Sequence, residues 1–267
     1  MIHLRSISYQ RPEYDLRDYP FSLPVFQAFS GLEFNTPVSL FVGENGSGKS
    51  TLLETIACAV DSVVVGSESI KSDKTLGAVQ HLSRFLKLSW NNRTRKGFFL
   101  RAEDFFGYIK NMTRMRQELE DDIRVIDNDY KDRTDYAADL ARSPHIGQLH
   151  ALTQRYGDGL EHHSHGEAFL TLFQSRFIPG GLYLLDEPEA PLSPLRQLGL
   201  ISILKDMIKQ DAQFIIATHS PILMAFPDAA LFNFDKDSIQ QVTYNELEHV
   251  NLMRSFLNDP QAYLRQL

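Results

Sequence analysis

The sequence predicts an α/β fold: a mostly parallel central sheet covered on both faces, with an N-terminal antiparallel β part and a helical subdomain. Three observations predict it. Short runs of strand length, VSLFV (38–42), GLYLLDE (181–187) and AQFIIATHS (212–220), are apolar through their middle, as in strands buried on both faces. Segments of helical character accompany them, KSTLLETIACAV (49–60) and PLRQLGLISILKDMIKQ (194–210), so strands and helices alternate. A hydrophobic content of 43% against 23% charged residues, over 267 residues, is enough to bury a sizeable core.

The elements follow in order. Residues 2–9, IHLRSISY, alternate apolar and polar side chains as a half-buried strand does. The Pro- and aromatic-rich stretch 19–34 reads as loop plus a short strand. VSLFV is a strand that runs at once into glycines and then a helix. Residues 82–102 read as a hairpin, two apolar arms around the polar turn NNRTRK, with Trp90 beside it. This arm carries Arg84, Lys87, Arg93, Arg95, Lys96 and Arg101 and no acid. Residues 104–142 read as heavily charged, weakly amphipathic helix, a solvated subdomain or a lid. The tail beyond the last buried strand gives a short strand pair and one or two helices. No internal repeat, low-complexity tract or linker interrupts the chain.

Composition narrows the function classes. A formal net charge of −7 argues against blanket binding to nucleic acid, though not against a local basic patch. The single cysteine, Cys58, excludes a disulfide framework and a Cys-rich zinc site, and fits a reducing, cytoplasmic setting. The start is too charged for a signal peptide, and no apolar run approaches the roughly 20 residues of a membrane helix, so no membrane insertion is expected.

Three strand ends carry chemistry. GENGSGKS, Gly43 to Ser50, matches G-x-x-x-x-G-K-[ST] in full, between an apolar strand and a helix. Gly43, Gly46 and Gly48 let the backbone turn its N–H groups inward, where they and the positive end of the helix hold phosphate oxygens. Glu44, Asn45, Ser47 and Thr51 complete the nucleotide-binding stretch; Lys49 adds a point charge at the β- and γ-phosphates, and Ser50 offers a hydroxyl to Mg²⁺. The motif points to a nucleoside triphosphate without saying what it is used for. At the end of LYLLDEPEA, Asp186 is the metal-holding candidate. Glu187 follows it on the strand and points elsewhere, which makes it the candidate general base or water-orienting group. FIIATHS brings His219 to the same sheet edge, where an imidazole could donate to the γ-phosphate.

GENGSGKST, LYLLDEPEA and ATHS, in that order, resemble the nucleotide-binding domain of the ABC class of P-loop NTPases. More narrowly, the SHGE and LLDEPEA-LS forms look like stand-alone prokaryotic ATPases related to the SMC-like ATPases of DNA repair and chromosome maintenance. The likeness runs from the first strand to about Ser220. It implies one ABC-type ATPase domain over 1–267, with residues 104–165 an inserted helical subdomain ending in the signature segment. That segment usually reads Leu-Ser-Gly-Gly-Gln; here HSHGE stands in its place, with Ser164 and Gly166 matching the serine and second glycine, and His163, His165 and Glu167 departing. The resemblance implies ATP and Mg²⁺ as cofactors and a head-to-tail homodimer in which each ATP meets Lys49 of one chain and Ser164 of the other. A metal cluster of His162, His163 and His165 and an S-x-x-E capping box from Ser164 to Glu167 are the other readings of the same segment.

Other family positions follow less directly. Ser193 stands where an aspartate is usual after the acidic strand. Glu103, preferred over Gln80, takes the place of the metal-facing glutamine. Phe21 or Phe26 would be the adenine-stacking aromatic. The function that follows is ATP hydrolysis by a soluble dimerising switch acting with a nucleic-acid or effector-protein partner. The alternative is the ATP-binding subunit of a membrane transporter; a nucleotide module with little turnover and a small-molecule kinase fit the motifs less well.

Overall fold

The computed structural model describes residues 1–11, 18–65, 76–131, 133–156, 165–236 and 238–265. In the first half, β1 (Leu4–Tyr9), the short helix α1 (Pro24–Ala28), β2 (Gly31–Glu33), β3 (Val38–Val42), α2 (Lys49–Ala59), α3 (Gly77–Ser83), β4 (Leu86–Trp90) and β5 (Gly97–Arg101) follow one another. Two long helices come next, α4 (Ala102–Asp129) and α5 (Asp135–Tyr156). The second half runs α6 (His165–Arg176), β6 (Leu182–Asp186), α7 (Pro194–Ile208), β7 (Gln213–Ala217), α8 (Pro221–Met224), β8 (Ala230–Asn233), β9 (Gln240–Val242), α9 (Glu248–Asn258) and α10 (Pro260–Leu264).

Two sheets form. The larger has the order β5-β6-β7-β3-β8-β9, parallel except for the antiparallel edge strand β9. The smaller is β2-β1-β4, antiparallel throughout. Every residue of β3, β6 and β7 is buried, which is why these strands read as unbroken apolar runs. Their alternate side chains feed two cores. Leu40, Tyr183, Leu185, Phe214 and Ile216 meet Phe169 and Phe173 of α6 and Leu200 and Leu204 of α7 on one face. Phe41, Leu184 and Ile215 meet Leu52 and Ile56 of α2, with Leu4 and Ile7 of the small sheet, on the other.

The expected hairpin over 82–102 does not form. Its first arm, β4, pairs with β1, whereas its second, β5, pairs with β6 in the other sheet. Burial explains the split: β4 alternates half-buried and exposed positions, but Phe98, Phe99 and Leu100 are all buried and need a sheet covered on both faces. Gly97 makes the crossing with φ +116°, and a Cβ there would lie 1.8 Å from the Leu182 carbonyl oxygen. Trp90 packs against the second core. The two sheets are tied by Gln213, fully buried, whose Oε1 accepts the His3 and Leu4 N–H groups at 2.8 Å each and whose amide donates to the Leu4 carbonyl at 2.9 Å.

The charged helical stretch is two helices, α4 and α5, packed on each other. Phe105 and Tyr108 anchor α4 in the first core, and the rest of the pair is laced with surface ion pairs such as Arg116–Glu120 at 3.1 Å and Arg142–Asp127 at 2.8 Å. No helix among the described residues is long and apolar enough to cross a membrane.

Candidate nucleotide site

Parallel strands place their carboxyl ends at one edge of the sheet, and four of these ends converge. β3 leads into the phosphate loop, β6 ends in Asp186, β7 runs on to His219, and β8 leads to Asp235. Gly48 takes φ +99° as the N-cap of α2, and a Cβ there would strike Val25 Cγ1 at 2.7 Å. No side chain caps the helix, so its first N–H groups are free for phosphate oxygens.

Lys49 is buried and holds the loop closed: Nζ donates to the carbonyls of Gly43 at 2.8 Å and Glu44 at 2.7 Å. Burial lowers its pKa, against the opposing pull of Asp235, Glu187 and Asp186. The Glu44 N–H donates to Asp235 Oδ1 at 2.5 Å, a support that sequence reading missed. Ser50 Oγ donates to Asp186 Oδ1 at 2.9 Å. Burial pushes the Asp186 carboxyl up to about 7, with the Ser50 hydrogen bond opposing.

Glu187 sits at φ +49° with its N–H donating to the Ala217 carbonyl at 2.9 Å, and this turns its carboxylate toward the loop. His219 Nε2 lies 3.6 Å from Glu187 Oε1 and is a buried nitrogen without a hydrogen-bond partner among the described residues. Burial, then Lys49, lowers the His219 pKa, with Glu187 opposing, which favours the neutral imidazole. Two groups fix its backbone. Glu189 Oε1 accepts the His219 N–H and the Thr218 hydroxyl at 2.6 Å each, and the His219 carbonyl lies 3.0 Å from His249 Nε2.

A cavity of about 270 Å³ opens between these groups. Asn45, Gly46 and Gly48 to Thr51 of the phosphate loop line it, with Glu187, His219, Tyr19 and Leu23. Phe21 and Phe26 are not at this cavity: both are buried, Phe21 edge-on to His81 and Phe85. The aromatic residue present is Tyr19, 55% exposed, with its hydroxyl 3.2 Å from Thr51 Oγ1.

The structure does not bring Glu103 to Ser50 and Asp186. Its side chain is exposed and lies 3.6 Å from Arg101, whose closer partner is Asp104 at 2.8 Å. Gln80 lies on α3. Ser164 falls outside the described residues, as do His162 and His163, so the histidine cluster and the capping box do as well. No group of three metal-ligating side chains occurs among the described residues. Gly166, the second residue of α6, packs inside its own chain: a Cβ would meet the Arg196 side chain at 2.7 Å and the Pro191 carbonyl at 3.1 Å. Glu167 pairs with the same Arg196 at 2.8 Å. Ser193 is the N-cap of α7.

Residues 24–141, somewhat under half of the chain, match the family model of the AAA domain. No match was found among curated proteins. Solved structures similar to this one include the Smc head domain of Pyrococcus furiosus, bound to the C-terminal domain of ScpA, at 10% identity and a TM-score of 0.49 over 96% of this chain and 100% of that one. The SMC head domain of Thermotoga maritima is similar at 15% identity and 0.45, over 91% and 99% of the two chains. The cbiO1 protein of Clostridium perfringens, part of the ABC transporter complex cbiONQ, is similar at 14% identity and 0.46, over 100% of each. The AAA-domain match takes in the phosphate loop, which lies between β3 and α2 in a mixed α/β fold with a mostly parallel central sheet.

Proposed function

We propose that the chain binds MgATP and hydrolyses it to ADP and phosphate, and that two ATP-loaded copies close head to tail. The observation that carries the hydrolysis reading is His219 Nε2, unpartnered among the described residues, beside Glu187, both lining the cavity with Lys49 and Ser50. Nothing in a purely structural phosphate-loop fold requires a buried imidazole nitrogen left open there.

Ser50 Oγ and the Asp186 carboxylate would hold the magnesium ion. They fit it: Asp186 is buried, its carboxyl is pushed up to about 7, and a nearby cation would restore the ionised form. When bound, magnesium supplies positive charge to the phosphate oxygens. The loop N–H groups and Lys49 orient the triphosphate. Tyr19 covers the base. Glu187 accepts a proton from the attacking water, and neutral His219 donates Nε2–H to the γ-phosphate. The N-terminus of α6, with Ser164, meets the ATP held by the second copy, and Gly166, packed against Arg196 of its own chain, ties that end of α6 to α7.

Light scattering tests the closed pair. Glu187→Gln with MgATP is expected to run as a dimer, and Ser164→Arg in that background as a monomer. A Glu187→Gln protein that stays monomeric while saturated with ATP would refute head-to-tail closure.

A further inference from the structure

A second cavity, of about 390 Å³, lies at the opposite end of α2 from the phosphate loop, beside the amino ends of β5 and β6. The 11 residues of α2 put about 16 Å between the two ends. Arg93, Arg95 and Lys96 line it together with the apolar Val60, Val63 and Leu182. Asp61 is the acid on its rim.

Two features set this cavity apart from an ordinary charged loop. Arg93 and Arg95 have no ion pair or hydrogen bond among the described residues, in a chain with 34 acidic residues against 27 Lys and Arg. The loop that carries them is also held in place. Asn91 N–H donates to the His3 carbonyl at 2.8 Å, Thr94 Oγ1 to the Gly180 carbonyl at 2.9 Å, and Leu182 N–H to the Lys96 carbonyl at 3.0 Å. Two exposed guanidinium groups on a fixed loop give the planar donor geometry that matches phosphate oxygens, and the apolar lining side chains accept a base.

We propose that this cavity binds a nucleoside phosphate, with Arg93 and Arg95 on the phosphate and Val60 and Val63 against the base, separate from the ATP site. The ligand comes from a single-stranded nucleic acid or from a free nucleotide.

The test is fluorescence anisotropy on the full chain, with the phosphate-loop site first saturated by a non-hydrolysable ATP analogue. The probes are labelled single-stranded oligothymidylate and labelled AMP. One probe is expected to bind, and Arg93→Glu/Arg95→Glu to weaken it at least about tenfold, with the melting temperature and ATP hydrolysis unchanged. Oligothymidylate binding that excess AMP does not displace assigns a strand; direct AMP binding assigns a free nucleotide. For a strand, the slope of log K against log[salt] should become shallower by about 0.7 in the variant, for the one lost phosphate contact. Binding of neither probe, or equal binding by the charge-reversed protein, overturns the proposal. ATP hydrolysis measured on the same preparations keeps that failure distinct from a failure of the phosphate-loop site.

Discussion

Asp186 and Tyr19 show what single residues contribute. The folded-state pKa of Asp186, about 7, lies above its ordinary value of 3.8, so the metal-free fold disfavours the carboxylate. Its contribution is fully favourable below the unfolded pKa and is lost as pH rises through about 7. In EDTA, Asp186→Asn is therefore expected to match wild type near pH 4 and to exceed it by roughly 2–4 kcal/mol at pH 8, read by denaturant melts. An equal effect at both pH values would show that burial does not control this carboxyl. Tyr19 is exposed and lines the phosphate-loop cavity, and the proposed function sets it against the base. Tyr19→Ala should raise the KM for ATP by roughly tenfold, the lower part of a 1–3 kcal/mol stacking contribution, and Tyr19→Phe should restore it. The contiguous motif residues from Gly43 to Thr51, with Asp186, Glu187 and His219, were legible because each follows an apolar strand directly. Tyr19, Asp235 and Glu189 were not: Asp235 reaches Glu44 across 191 positions, and no local pattern marks such a pairing.

At the scale of elements, the junctions decide the geometry. The turn after β7 is clamped by Glu189 from the loop after β6, and the Ser220 hydroxyl donates to Gln197 of α7 at 2.5 Å. Removing that clamp lets His219 drift while leaving the phosphate loop intact. Glu189→Ala is expected to lower kcat at least about tenfold with little change in KM, measured by steady-state phosphate release. Gln213 does the corresponding job between the sheets. Gln213→Leu strands two buried N–H groups and a carbonyl and should cost about 3 kcal/mol in a denaturant melt. Strand existence was readable from apolar runs, but partner choice was not. The arms around NNRTRK satisfied the pattern of a hairpin, and only the burial of Phe98, Phe99 and Leu100 on both faces sent β5 to the larger sheet.

Over the whole molecule, one sheet edge gathers the phosphate loop, Asp186, Glu187 and His219, and α2 runs from that edge to the cavity lined by Arg93, Arg95 and Lys96 at the other. The helical pair α4–α5 and the start of α6 lie between β5 and β6 in the chain, so the element proposed to meet a second copy is inserted beside the acidic strand. The central claim is that this edge hydrolyses ATP through Glu187. Its most direct test is phosphate release from MgATP by wild type and Glu187→Gln, with ATP binding measured alongside. Wild type should turn over, and the Gln variant should bind ATP while losing at least about a hundredfold in rate, as expected when a positioned general base is removed. Hydrolysis by Glu187→Gln at the wild-type rate would contradict it.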